Sequence, residues 1–419
     1  MPDPKPTKSW TASLTVVLVS QFMISGSVSM VFPFMPKLVR SLGVDPSQEA
    51  FYAGLALALG GVPMFFTAPI WGVLADRHGR KSMLLRATFA TGVSLFGFAF
   101  APNVFLLMAA RFMQGAFAGI NSAAMAFVAS ISPREHMSRN MGLSQGSIML
   151  GATLGPTIGG FLSDAVGFKA TFVGSGIMIL ALALVIRSLV REEFHPPEKE
   201  TRFNLRAAYG EAISVARAPG VLPLLVIVMF ANAAPFMFYP ALPTLLESLE
   251  GHTVSDAMVG ITFSVLGIIS GVASPLLGRL AGRLGLRRIL IGACFWGALV
   301  YLPMLWVANT GQFYALWTAI GVARAGIVVA SSALVALAVA KSQQGRAFGA
   351  LQSSMALAVT VGPLTGGIAA DTLGPRAAFG VAGLVFLALA VATIYMVPKA
   401  LGQGPVPVPA ESPAPAAGG

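Results

Sequence analysis

Two arginines lie inside long apolar stretches of this 419-residue sequence. Arg111 directly follows the uncharged run 87–110, and Arg324 is the one charged residue between 312 and 340. An arginine in such surroundings is costly, so it is expected to face the protein interior or a water-filled cavity, where it can attract an anionic group. For Arg324 the alternative is local: hydrogen bonds to the backbone or to Ser and Gln neighbours.

A second cluster of charged side chains is the stretch Gly72–Lys81, GVLADRHGRK, which separates two apolar runs. Placing Arg, Lys or Asp at the centre of a membrane helix costs about 2.5–3.5 kcal/mol each. The stretch is therefore predicted to be a loop at a membrane surface. A related stretch, Gly278–Arg288, repeats it as GRLAGRLGLRR, with Gly282 in the place of Asp76.

Glycines recur at helical spacing in the segment 151–160, GATLGPTIGG. Gly151, Gly155 and Gly159 are four residues apart and fall on one face of a helix. Pro156, next to them, removes a backbone hydrogen bond and can kink that helix. A smooth face with a kink favours close packing of helices that slide or rock against each other. Packing without motion is the alternative.

The amino-acid composition indicates that these segments lie in a membrane. The chain is 56% hydrophobic and 10% charged, whereas soluble domains are about 25% charged. Runs of about 20 apolar residues are long enough to cross a bilayer as helices. The sequence therefore predicts an all-α polytopic membrane protein with twelve transmembrane helices. Their predicted bounds are 11–32, 51–75, 84–101, 104–130, 140–163, 170–190, 221–246, 256–281, 289–308, 312–340, 346–371 and 376–397.

The chain is an internal duplication. GPTIGGFLSDAVG (155–167) reappears as GPLTGGIAADTLG (362–374), and Pro33 and Pro36 reappear as Pro240 and Pro243, all at the same separation. Six spans in each copy give both halves the same orientation, and the expected substrate site lies between them near the membrane midplane. The predicted organisation is a disordered N-terminus (1–10), a six-helix bundle (11–190), a cytoplasmic linker (191–220), a second six-helix bundle (221–397) and a disordered Pro/Ala-rich tail (398–419).

The net charge of +11 follows membrane topology. If the N-terminus is cytoplasmic, almost all Lys and Arg fall in cytoplasmic segments, as the positive-inside rule requires. Only Lys37, Arg40, Lys169 and Arg376 fall outside. We therefore predict a multi-pass protein of the cell (inner) membrane with both termini in the cytoplasm, and no nucleic-acid partner.

The sequence lacks the residues that metal binding, several classes of enzymatic catalysis and nucleotide binding require. The one cysteine, Cys294, and four scattered histidines predict no metal site. There is no HExxH, GxSxG or nucleotide-binding GxxxxGK[ST] pattern. We predict no cofactor and no enzymatic activity, and the absence of a nucleotide site argues against a pump driven by ATP within this chain.

Three stretches of the sequence resemble motifs of a known family. GVLADRHGRK is similar to the signature between spans two and three of the major facilitator superfamily. RFMQGAFAG (111–119) resembles its fourth-span motif, and GATLGPTIGG its fifth-span antiporter motif. The resemblance covers residues 11–397 and is strongest to the twelve-span drug:proton antiporters. It implies two pseudo-symmetric halves that rock to expose a site alternately, and a monomer that exports small lipophilic compounds in exchange for protons across the lipid bilayer.

The resemblance also implies roles for individual residues. Asp76 is expected to meet the N-terminus of span eleven, near Arg346, and to stabilise the outward-open state. The carboxylate would gain from the positive end of that helix. The conformational gate so implied is Gly72, Asp76, Arg77, Gly79, Arg80 and Lys81. Candidates for proton coupling are Arg111, Gln114 and Asp76. The antiporter motif comprises Gly151, Gly155, Pro156, Gly159 and Gly160.

The first span departs from the pattern of many drug:proton antiporters, because it carries no acidic residue. Projected through the duplication, Arg324 falls on the same helical stripe as Arg111, so both are expected to face the central cavity. Such a cavity would favour neutral or anionic substrates. A carrier for a small organic anion bound by Arg111 and Arg324 is therefore the alternative to a drug exporter. The candidate cavity residues are Gln21, Phe22, Gln145, Met229, Asn232, Phe236, Arg324 and Gln352.

Overall fold

The computed structural model describes residues 9–192, 221–337 and 344–397, with no β-strand among them. The predicted N-terminal tail, central linker and C-terminal tail lie almost wholly outside the described residues. The helices, in chain order, are Ser9–Ser29, Val31–Ser41, Glu49–His78, Arg80–Phe100, Val104–Ala116, Ile120–Ile131, Met137–Leu189, Val221–Met237, Leu242–Glu250, Asp256–Leu284, Leu286–Tyr301, Thr310–Leu337, Gln344–Leu373 and Ala377–Met396.

These helices form the twelve predicted spans. Ten helical segments in the described residues are long and apolar enough to cross a membrane. Met137–Leu189 counts as two spans, the fifth and sixth, because Gly167 has a φ of 80° and interrupts the helix. The fourth span consists of two shorter helices, Val104–Ala116 and Ile120–Ile131. The first and seventh spans are each formed by two successive helices, so the prediction of twelve spans in two halves is confirmed.

The charged stretch Gly72–Lys81 is not a loop, and in this respect the prediction is wrong. The second span continues to His78, and the third begins at Arg80. Gly79 alone joins them, with a φ of 85° that residues with a side chain rarely adopt. Arg and Lys are good helix formers, so the charged residues extend the helix beyond the apolar run instead of ending it.

The duplication is also visible in the backbone. Seven glycines in the described residues have positive φ, and six of them form pairs separated by 206 to 208 residues. The pairs are Gly43 and Gly251, Gly79 and Gly285, and Gly167 and Gly374. The seventh is Gly119, at the break in the fourth span. The two halves therefore turn at equivalent positions, and they differ in this break.

The halves meet along two contact regions that the pseudo-symmetry relates. The second span packs against the eleventh, and the eighth against the fifth. Loops at residues 42–48 and 251–255 lie at the end of the bundle that the charge distribution assigns to the outside, and we call it the outer end. Phe32 and Arg40 of the first span reach the seventh span across the interface there.

Candidate functional site

Arg111 lies in Val104–Ala116, the first helix of the fourth span, and is almost completely buried, with 3% of its surface exposed. Its Nη1 donates to the Oε1 of Gln114, one turn further along the helix. Its guanidinium carbon lies 5.2 Å from the centre of the Phe32 ring. The Nε of Arg111 and the Nε2 of Gln114 are buried without a hydrogen-bond partner among the described residues. Two of the three candidates for proton coupling, Arg111 and Gln114, thus form one hydrogen-bonded unit that retains unpaired donors.

The aromatic ring beside Arg111 connects the two halves. Phe32 of the first span packs edge-on against Tyr239, with 5.4 Å between ring centroids, and also contacts Phe236. Phe236 and Tyr239 belong to the seventh-span region and are themselves 5.1 Å apart. Of the predicted cavity residues, Phe236 therefore lies at the interface between the halves, within one ring of Arg111.

The other cavity candidates are dispersed. Gln21 is buried and accepts a hydrogen bond from Ser144, 2.9 Å away, which joins the first and fifth spans within one half. Asn232 donates to the carbonyl of Val228 in its own helix. Phe22 and Met229 are half-buried, whereas Gln145 and Gln352 are exposed. The cavity role of this set stays a prediction.

Arg324 has different surroundings from Arg111. It is half-buried in the tenth span and lies near Tyr301, which is fully buried in an aromatic cluster of the C-terminal half. No hydrogen bond or ring contact among the described residues joins it to Arg111. A shared site for the two arginines stays a prediction.

The fourth span breaks directly after Arg111 and Gln114, within the RFMQGAFAG motif. The helix ends at Ala116, and Gly119 adopts a φ of 106° before the next helix begins. Trp71 of the second span donates its indole N–H to the carbonyl of Ala116, 2.8 Å away. Arg86 of the third span donates to the carbonyl of Ala118 and stacks 3.2 Å from the Trp71 ring centre. These two side chains satisfy carbonyls that the break releases inside the membrane. The sequence predicted no role in the site for Trp71 or Arg86.

The predicted gate residues are partly described. Gly72 and Asp76 lie within the second-span helix, and the side chain of Asp76 is not among those described. The side chain of Arg346 is not described either. The expected contact of Asp76 with the eleventh span therefore lies outside the described residues. Arg77 occupies the last turn of the second span. Arg80 donates to the carbonyl of Ala126, 2.8 Å away.

The backbone N–H groups of Arg80 and Lys81 both donate to the carboxylate of Glu192, at 2.8 and 2.9 Å. Glu192 directly follows the sixth span, and it caps the first turn of the third, where a carboxylate is favoured. Lys81 Nζ donates to the carbonyl of Arg187 at the end of the sixth span. The gate motif is therefore anchored to the start of the central linker, a connection that sequence reasoning missed.

The antiporter motif presents two faces. A side chain at Gly151, Gly155 or Gly159 would collide with the first span of the same half, at Phe22, Gly26 and Met30 respectively. Gly160 faces the opposite half: a Cβ there would lie 2.5 Å from the carbonyl oxygen of Asp256. The predicted glycine face thus packs within one half, whereas Gly160 with Pro156 forms the contact between halves.

Sequence comparison assigns the family. The family model described as Major Facilitator Superfamily matches residues 17–252 and 224–418. The multi-drug resistance efflux pump PmrA of Streptococcus pneumoniae is 30% identical over 373 residues, covering 88% of this chain and 92% of the relative. The multidrug resistance protein MdtG of Enterobacter lignolyticus is 31% identical over 389 residues, covering 92% of each chain.

Solved structures share the fold. The human organic anion transporter MFSD10 (TETRAN) superimposes with a TM-score of 0.70 at 20% identity, over 92% of this chain and all of that one. The nucleoside transporter NupG superimposes with a TM-score of 0.74 at 14% identity, over 93% of this chain and all of that one. At these identities the likeness establishes the arrangement of helices and not the substrate.

Proposed function

The chain belongs to the major facilitator superfamily of membrane transporters, and we propose that it exports small, lipophilic, drug-like compounds in exchange for protons. The observation that carries the proposal is the similarity, over about nine tenths of the chain, to a multidrug resistance efflux pump and to a multidrug resistance protein. A family of transporters rather than enzymes also agrees with the absence of catalytic and nucleotide-binding motifs from the sequence.

Alternating access is the proposed mechanism. The two halves contact each other through glycines and backbone along the second and eleventh spans and along the fifth and eighth. Glycines leave few side chains to interlock across these contacts. The halves can therefore separate at one end of the bundle while they close at the other, which supports rocking of two rigid halves about a central site. In this proposal the bundles are 11–190 and 221–397, and the linker 191–220 joins them.

Proton coupling is assigned to the Arg111–Gln114 unit together with Asp76. Arg111 is buried with no acidic partner among the described residues. Burying an unpaired cation costs free energy, and charged residues inside membrane spans are usually functional. Its unpaired donors and those of Gln114 can hold water or an acceptor group of the substrate. The first span carries no acid, so the cavity does not select cations by charge.

The apolar contribution to binding comes from the rings between the halves. Phe32, Phe236 and Tyr239 supply large apolar surfaces next to one guanidinium. Aromatic surface with few polar groups is typical of small-molecule sites. The site proposed here therefore binds lipophilic compounds with a hydrogen-bond acceptor. The protein would act as a monomer in the cell membrane, with both termini in the cytoplasm.

The test is proton movement evoked by substrate in inside-out membrane vesicles. A panel of cationic, neutral and anionic lipophilic compounds is added to energised vesicles, and the internal pH is followed. Neutral compounds with a hydrogen-bond acceptor should release protons, and Arg111→Gln should reduce that response at least about tenfold, since it removes the buried charge. Arg288→Gln is the matched control, because Arg288 is exposed and its guanidinium donates to the carbonyl of Leu284, at the end of the preceding helix of the same half.

A response to anions alone would instead identify a carrier for organic anions. In that case Arg324→Gln should abolish the response as fully as Arg111→Gln does. A full proton response in Arg111→Gln would exclude the Arg111–Gln114 unit from coupling.

A further inference from the structure

Two aspartates at equivalent positions of the duplication bind the opposite half at the outer end. Asp164 ends the outer part of the fifth span, and Asp371 the outer part of the eleventh, 207 residues later. The carboxylate of Asp164 accepts backbone N–H groups of Asp256 and Ala257, at 2.8 and 2.9 Å. The carboxylate of Asp371 accepts those of Ala50 and Phe51, at 3.1 and 2.7 Å.

Each aspartate therefore caps the first turn of a helix in the other half. Asp256 begins the eighth span and Glu49 begins the second. The first N–H groups of a helix lack partners in the helix, and its N-terminal end carries a partial positive charge. A carboxylate satisfies two of these donors at once. These caps are made between halves that must part for the outer end to open.

The packing beneath each carboxylate is equally close. Pro156, Gly160 and Asp164 are four residues apart on one helical face, as are Pro363, Gly367 and Asp371. A Cβ at Gly160 would lie 2.8 Å from the Cα of Ala257, and one at Gly367 would lie 3.2 Å from the Cα of Phe51. The backbones of the two helices are thus in contact below each cap. This close packing keeps each carboxylate within hydrogen-bond distance of the N–H groups that it accepts.

An ion pair and a hydrogen bond between the halves lie beside the Asp164 contact. Lys37 of the first span binds the Asp256 carboxylate at 2.6 Å and the carbonyl of Val254 at 2.7 Å. Ser163 donates to the same Asp256 carboxylate. Asp164 is exposed, whereas Asp371 is half-buried, so solvent weakens the first contact more than the second.

We propose that Asp164 and Asp371 are the outer gate residues of the transport cycle: they stabilise the outward-closed state by capping the eighth and second spans of the opposite half. They position the halves and do not touch the substrate. The inference rests on the proposed alternating access, and not on the identity of the substrate or on proton coupling.

The test measures access to the interface from each side of the membrane. A reporter, Phe236→Cys, is placed in a Cys294→Ser background, and a membrane-impermeant maleimide is applied from outside. Asp164→Asn and Asp371→Asn should each raise the labelling rate about threefold to tenfold, and the double variant should raise it further. Asp371→Asn should have the larger effect. The control is Asp45→Asn, an exposed outer carboxylate that bonds only to Ser47 of its own half.

A second reporter separates a shift of conformation from loss of folding. Gln145→Cys, near the inner end of the fifth span, is labelled in inside-out vesicles. Opening of the outer end should lower this rate as the outer rate rises. Unchanged labelling in the double variant, or a rise from both sides, would overturn the proposal. The labelling assay needs neither drug nor proton gradient, and export is measured separately in the protein with Phe236 intact. Reciprocal shifts in labelling, together with no drug export by the unsubstituted protein, would support the gate and reject the proposed function.

Discussion

Among the residues that the structure describes, Arg111 has no neighbour that neutralises its charge. It has one hydrogen bond to Gln114 and one ring contact with Phe32. A cation–π contact and one amide bond recover part of the cost of desolvation, and a carboxylate would recover more. An arginine with only a structural role would be stabilised more by an acidic side chain. The surroundings of Arg111 therefore favour a functional role, in which a substrate or water binds to it during transport.

Trp71 gives a prediction at the scale of a single hydrogen bond. Trp71→Phe keeps the ring on Arg86 and removes the N–H that satisfies the carbonyl of Ala116 at the break in the fourth span. The free energy of unfolding should fall by about 0.5–2 kcal/mol, since a carbonyl without a donor is left in the membrane. Thermal unfolding in detergent, followed with a thiol-reactive dye at buried Cys294, measures the change.

Trp296→Phe is the matched control for this variant. Its indole also donates to a carbonyl, that of Ala319, but Ala319 lies inside a continuous helix whose own N–H groups already satisfy it. The control should lower stability by less than Trp71→Phe does. Equal losses would mean that the break in the fourth span does not depend on Trp71.

At the scale of elements, the fifth span has two faces with separate consequences. Gly160→Ala forces its Cβ onto the backbone of the eighth span in the other half, so the outward-closed state should become less populated. Gly155→Ala forces its Cβ onto Gly26 and Ser29 of the same half, so the fold itself should lose about 1–3 kcal/mol. Labelling of Phe236→Cys from outside, together with thermal unfolding, separates the two effects.

Gly142 supplies the control on the same helix, because a Cβ there meets nothing within 4 Å. Gly142→Ala should leave labelling and thermal stability unchanged. If Gly160→Ala lowered stability without raising the outer labelling rate, the contact of Gly160 with the eighth span would stabilise the fold and would not open during transport.

The elements were predictable from sequence to different degrees. The spans follow from uninterrupted apolar runs, and their pairing into halves follows from the duplication. The break at Gly119 was not predictable, because no proline or charge marks it and its stability depends on Trp71 and Arg86 from other spans. The outer contacts of Asp164 were missed for a similar reason: the donors are backbone groups of a distant helix, which sequence does not reveal.

At the scale of the whole molecule, the pseudo-two-fold relation explains several contacts between the halves. A residue near a two-fold axis meets its own counterpart. Phe32 meets Tyr239, its equivalent 207 residues later, and Arg40 Nη2 meets its equivalent Glu247 at 3.3 Å. A symmetric ancestor would have placed like charges at the second position, where they repel. Duplication followed by divergence permits an Arg–Glu pair that attracts, so the two halves are now complementary and not identical.

The same relation predicts that the two ends of the molecule oppose each other. Asp76 is proposed to stabilise the outward-open state at the inner end, and Asp371 the outward-closed state at the outer end. Asp76→Asn should therefore slow transport and lower the outer labelling rate of Phe236→Cys without preventing membrane insertion. Asp371→Asn should raise that rate.

The double variant Asp76→Asn with Asp371→Asn is the decisive combination, because effects at distant sites add in free energy. Its outer labelling rate should return toward that of the unsubstituted protein, even though each single change displaces it. Asp45→Asn added to Asp76→Asn should restore nothing, since Asp45 contacts only its own loop. A double variant that labelled as fast as Asp371→Asn alone would show that Asp76 does not contribute to the balance between the two states. The acidic residue of the charged motif would then need another role.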